Sequence, residues 1–174
     1  MTYAGARRII DVDSHVIELD DFLWNAATAA ERARLPKMAD QTVLPVVDKA
    51  LARARELFAR RQSEPETLAQ FEASLTQVHR NGWSRLGAFD PAERSHALDL
   101  FGFELQWVLP TFSFHQVAHQ KDPEVVALGA RVLNRAMADF CAADPRLLGI
   151  GYLPLSVGPE EAESIMDEGL AAGC

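Results

Sequence analysis

Cysteine is scarce in this chain. Of 174 residues only Cys141 and Cys174 carry a thiol, one in a predicted helix and the other at the last position. With no C-x-x-C pair, neither a disulfide framework nor a thiolate zinc site is expected, and a reducing, cytoplasmic setting fits. Long apolar runs are missing too. No stretch approaches the roughly 20 residues of a membrane-spanning helix, and the few polar residues ahead of the first strand make no signal-peptide pattern, so no membrane partner is expected. Basic charge is short: 17 Lys and Arg face 25 Asp and Glu, for a net charge of −8. That balance argues against general nucleic-acid binding, which needs a basic surface. No glycine-rich loop follows the first strand, and Gly149-x-Gly151 lies inside a predicted strand without a third glycine. A dinucleotide-binding fingerprint is therefore excluded. What is left is length enough for one domain with a sizeable core.

The first strand is predicted over Arg8-Ile9-Ile10-Asp11-Val12-Asp13-Ser14-His15. Strict alternation would put Asp11, Asp13 and His15 on one side and Ile10, Val12 and Ser14 on the other. Asp20 or Asp21 is placed to cap a short helix carrying Phe22 and Leu23. The region to about Pro45 has no clean period and reads as loop with short helical pieces. Val47, Leu51, Ala54 and Phe58 then recur at helical spacing through Arg61. A second helix is predicted from Pro65 to about Arg80. The basic residues Lys49, Arg53, Arg55, Arg60 and Arg61 read as a solvated face. Together these helices form an insertion over about 36–82.

After Asn81-Gly82 the pattern becomes regular. Asp90-Pro91 opens a helix as N-cap and first position, with Glu93 placed to close a capping box and Gly102 to stop it. A strand is predicted over Phe103 to Leu109. The next helix runs from Asp122-Pro123 to before Asp144-Pro145, with Val125, Gly129, Val132 or Leu133, Ala136 or Met137, and Phe140 along its stripe. Leu147 to Leu153 reads as a third strand, and Pro159 opens a last helix. Strands alternating with helices imply a parallel sheet. The expected fold class is α/β: a partial (β/α)8 TIM barrel of about three β/α units, with a helical insertion after the first strand.

In such a barrel the chemistry sits where strands end. Asp13 and His15 end the first strand, where a carboxylate and an imidazole two residues apart reach one cation; the plainer alternative is that Asp13 accepts a turn hydrogen bond and His15 caps a loop. Thr111, Ser113 and His115 follow the second strand, and His115 is either a surface residue or an acid–base or substrate-contacting group. Trp107 reads as core. Asp11 reads as filling a polar layer, and Glu18 as a contact to a ligand histidine.

These residues carry a resemblance. Ile10-Asp11-Val12-Asp13-Ser14-His15 resembles the opening metal motif of the amidohydrolase-related family, the aminocarboxymuconate-semialdehyde decarboxylase-like metal-dependent hydrolases, with Asp13 where most relatives have a first histidine. Phe89-Asp90-Pro91 to Arg94, Leu98-Asp99-x-x-Gly102 and Val108-Leu109-x-Thr111 are similar to that family's first helix and second strand. Phe140 to Leu147, followed by Leu153-Pro154-Leu155, is similar to its second helix and third strand.

The resemblance implies an eight-stranded barrel holding one divalent metal, usually Zn2+. Asp13 and His15 would be its first two ligands, and the reaction would hydrolyse or decarboxylate a small, aromatic or unsaturated carboxylic acid. The remaining ligands and the base would come from later strands, so the chain is expected to be the N-terminal part of such an enzyme, inactive in isolation. Three parallel strands cannot close, and a homo-oligomer or other partner is expected to cover them. The alternative is a non-catalytic truncated barrel that serves only packing or oligomer contacts.

Overall fold

The structure is a computed structural model that describes residues 2–37 and 45–174. Part of the loop expected before Pro45, residues 38–44, lies outside the described residues. Among the described residues, three strands form one parallel sheet in the order β1 (Ile10–His15), β2 (Leu105–Leu109), β3 (Leu147–Gly149). Helices α1 (Phe22–Ala26), α2 (Ala29–Arg32), α3 (Pro45–Ser63), α4 (Pro65–Ala73), α5 (Val78–Asn81) and α6 (Pro91–Phe101) separate the first two strands. Helices α7 (Phe112–Ala118) and α8 (Pro123–Cys141) separate the second pair, and α9 (Pro159–Ala172) follows β3. The mixed α/β class and parallel order are thus as expected.

The core lies against one face of the sheet. Val108 of β2, Val117 of α7, and Val132, Leu133 and Met137 of α8 are fully buried, with Leu98 of α6 nearly so. Each side chain of this kind contributes about 1.5–3 kcal/mol by leaving water. Helix α8 starts where predicted: Asp122 caps it by accepting from the Glu124 N–H at 2.9 Å, with Pro123 in the first turn. Gly129 belongs to its buried side because a Cβ there would lie 2.8 Å from a Val117 methyl group. Gly102 ends α6 in the left-handed region, at φ 71°, which a glycine adopts without steric strain.

The other face is exposed. Ile10, Val12, Trp107 and Leu148 are 52%, 56%, 43% and 41% exposed. Trp107, expected in the core, alternates with the buried Gln106 and Val108 and so points to the side that no described helix covers.

Other departures have local causes. The predicted helix to Arg80 breaks after Ala73, where Ser74 Oγ donates to the Gln70 carbonyl at 2.8 Å and Asn81 Nδ2 donates to the Ser74 carbonyl at 3.2 Å. Such side-chain bonds offer the backbone an alternative to continuing the helix. The third strand stops at Gly149 instead of Leu153. One further bond joins Ile150 N–H to the Val108 carbonyl at 2.9 Å, and Tyr152 N–H then turns to Asn134 Oδ1 of α8 at 2.7 Å.

The capping box at α6 is only half formed. Asp90 accepts from Glu93 N–H at 2.8 Å, but the Glu93 carboxylate turns to Arg61 of α3. It takes two bonds of 2.7 Å from that guanidinium, which also lies 4.5 Å from the centre of the Phe71 ring. This buried pair ties the helical insertion to α6.

Candidate metal-binding site at the end of the first strand

The even alternation expected along β1 does not hold. Pairing with β2 runs Ile10 to Leu105 and Asp11 to Gln106, then slips so that Ser14 meets Val108 and His15 meets Leu109. This irregularity lies between Asp11 and Ser14 and re-aims the side chains that follow it. Asp11 and Ser14 both turn toward the helix-covered face, where Arg94 and Gln106 join them. Asp11 therefore does not share a side with Asp13 and His15.

Arg94 is the hub of that covered side. It is buried, and donates to Ser14 Oγ at 2.6 Å, to Gln106 Oε1 at 3.0 Å and to the His15 carbonyl at 2.8 Å, and also to the Gly87 carbonyl. Gln106 in turn donates to Asp11 Oδ2 at 2.9 Å, while Asp11 Oδ1 accepts from the Asp13 N–H at 3.2 Å. Burial, with a smaller contribution from the nearby charge of Arg85, brings the Arg94 guanidinium down to about 10. The network fixes the main chain at Asp13 and at His15, the two residues that leave it.

Asp13 and His15 face each other on the uncovered side. Asp13 Oδ1 lies 3.5 Å from His15 Nε2, with side chains 88% and 40% exposed. The other ring nitrogen, Nδ1, lies 3.1 Å from Thr111 Oγ1, and that hydroxyl donates to the Val16 carbonyl at 2.7 Å. Two donor groups so placed suit one divalent cation. A catalytic zinc site generally takes three protein ligands, and the described residues contain no group of three or more His, Cys, Asp and Glu placed to share an ion.

No hydrogen bond or ion pair among the described residues joins His15 to Glu18. Its fully buried carboxylate accepts the main-chain N–H groups of Thr111, Phe112 and Ser113 at 2.8, 2.9 and 3.1 Å, capping α7 from a distant part of the chain. Burial pushes this carboxyl upward, and the three N–H bonds pull it back in part.

His115 stands on α7 rather than in a loop. It is exposed, and its ring stacks on that of His119, with centroids 5.2 Å apart. No hydrogen bond or ion pair among the described residues joins it to Asp13 or His15.

A cavity of about 350 Å³ opens beside β1. Asp13, His15, Arg85 and Asn81 contribute polar groups to it, and Leu75, Leu86, Phe101 and Phe103 contribute apolar ones. Arg85 forms no ion pair among the described residues and was not singled out from sequence. Its one signal was its place in the short irregular stretch just before Asp90-Pro91. No described helix is long and apolar enough to cross a membrane. Comparison of the chain with protein-family models, with curated proteins and with solved structures finds no match.

Proposed function

We propose that this chain forms the opening part of a metal-dependent (β/α)8-barrel enzyme, a hydrolase or carboxy-lyase acting on a small carboxylic acid. The observation that carries this reading is the approach of Asp13 Oδ1 to His15 Nε2 at 3.5 Å, at the carboxyl end of the first parallel strand and toward the uncovered face. Catalytic groups of closed barrels occupy that end of their strands. The strand order, which follows the sequence, and the bare apolar face both suit a sheet that continues to curve and close. Further strands would come from elsewhere, and we include a second copy of the chain among their sources.

Asp13 and His15 would hold the metal, with Zn2+ the ion best suited to an imidazole and a carboxylate. When bound, such an ion supplies Lewis-acid chemistry, polarising a substrate oxygen or activating water. The chain's own residues do the rest. Arg94 and Asp11 hold the backbone from which the two ligands project. Arg85, with no ion pair among the described residues, gives a substrate carboxylate a cation to pair with in a cavity lined by both polar and apolar side chains. His115 lies one turn beyond Thr111 and serves as the acid–base candidate at the same end of the sheet.

The test is zinc binding by native mass spectrometry. One zinc per chain is expected, with loss in Asp13→Ala and in His15→Ala. Equal binding by wild type and both variants would refute the reading and leave the alternative, a non-catalytic scaffold.

A further inference from the structure

We propose that Thr111 is a positioning residue that selects the ring tautomer of His15, so that the Nε2 lone pair and Asp13 are presented to the same point. The inference deepens the metal-site reading and rests on it for its functional meaning, although the ring geometry is independent of any ion.

A threonine hydroxyl has one hydrogen and can donate once. Thr111 donates it to the Val16 carbonyl at 2.7 Å, and a carbonyl oxygen can only accept. Toward the His15 ring, 3.1 Å away, Thr111 therefore has only lone pairs to offer, and His15 Nδ1 must carry the proton that it donates. In the neutral ring that leaves Nε2 bare. A free imidazole side chain favours the opposite tautomer, so this form is imposed by the surroundings.

Nε2 then faces Asp13 Oδ1 at 3.5 Å with an electron pair on each side. Two acceptors so opposed repel unless a cation lies between them, which is the arrangement a ligand pair requires. Histidine ligands are generally oriented in this way through their second nitrogen.

Thr111 is itself held from two directions. Its hydroxyl is anchored on Val16, and its N–H donates to the fully buried Glu18 at 2.8 Å. The Glu18 carboxylate also takes the next two N–H groups, so the start of α7 cannot shift without breaking three bonds. Glu18 thus acts on His15 through Thr111, two bonds away.

The experiment is long-range 1H–15N NMR of the His15 ring in the metal-free full chain, with the rings neutral, for wild type, Thr111→Val and Thr111→Ser. Wild type should show the Nδ1–H form. The near-isosteric Thr111→Val should move His15 toward the Nε2–H form and weaken zinc binding by about tenfold to a hundredfold, with an unchanged far-UV spectrum. Thr111→Ser should restore both. A wild-type Nε2–H ring, or a tautomer that stays put in Thr111→Val, overturns the proposal. If the tautomer responds as stated in a protein that binds no zinc at Asp13 and His15, the positioning role stands and only the metal reading falls.

Discussion

The two faces of the sheet differ more than any other two regions of the molecule. One packs Val108 and its neighbours beneath α6 and α8, where Leu98, Leu133 and Met137 are shut off from water. The other leaves Ile10, Val12, Trp107 and Leu148 in solvent and carries Asp13 and His15 at its end. The first face supplies the burial that holds the fold together. The second supplies side chains that contribute little to that burial and remain free for chemistry or for a covering partner. Polar groups follow the same division. On the covered face every polar side chain of β1 and β2 is tied into the Arg94 network, whereas Asp13 reaches out with one main-chain bond behind it.

Substitutions sharpen this contrast, and the largest effect is expected where a buried charge would lose its partner. Glu93→Ala leaves the Arg61 guanidinium buried and unpaired and should lower unfolding free energy by about 3–5 kcal/mol, read by urea denaturation. Met137→Ala opens a cavity on the covered side and should lose about 2–5 kcal/mol by the same measurement.

Asp144→Asn removes the carboxylate that accepts from Arg146 at 2.6 and 2.9 Å and from Ser95 at 2.6 Å, and should lose about 1.5–3 kcal/mol at neutral pH. This loss depends on pH. Arg146, with smaller help from Ser95, holds the Asp144 carboxyl well below its ordinary value of 3.8. The folded state therefore binds this proton less readily than the unfolded state. The stabilisation is complete above the ordinary value and disappears as pH falls below it. Wild type and Asp144→Asn should accordingly differ at pH 6 and converge on acidification, as read from denaturation midpoints across that range.

The smallest effect on stability belongs to the bare face. Val12→Thr should change unfolding free energy by no more than about 0.5 kcal/mol. Ile10→Lys together with Val12→Lys should suppress concentration-dependent association in sedimentation velocity, because these side chains would meet whatever covers the sheet. Marked destabilisation by Val12→Thr, or tolerance of Met137→Ala, would remove the distinction between the faces.

Much of the framework was legible in the sequence because its signals are local. Asp122-Pro123 and Asp90-Pro91 start helices whose first turns they cap, and Gly102 stops one because the chain needs a positive φ there. The alternation of strands and helices gave parallel pairing. The aspartate and histidine at the end of β1 were also legible as a pair, and the structure brings them within 3.5 Å.

Other features depend on partners far along the chain. Helix α7 has a threonine at its N-cap that does not cap it, and the carboxylate that does is Glu18, 93 residues before Thr111. The irregularity in β1 that separates Asp11 from Asp13 comes from its register with β2. Glu93 looked like half of a capping box and serves instead as the partner of Arg61, 32 residues away.

The sequence by itself determined the strand–helix alternation, the starts of the helices at Pro91 and Pro123, and which two side chains end the first strand, because periodicity, capping and proline act over a few residues. Only the tertiary structure decided which face of each strand is covered, which hydroxyl lies against the His15 ring and which acid neutralises which arginine. Those outcomes depend on register and on hydrogen bonds between residues dozens of positions apart, and no local pattern encodes them.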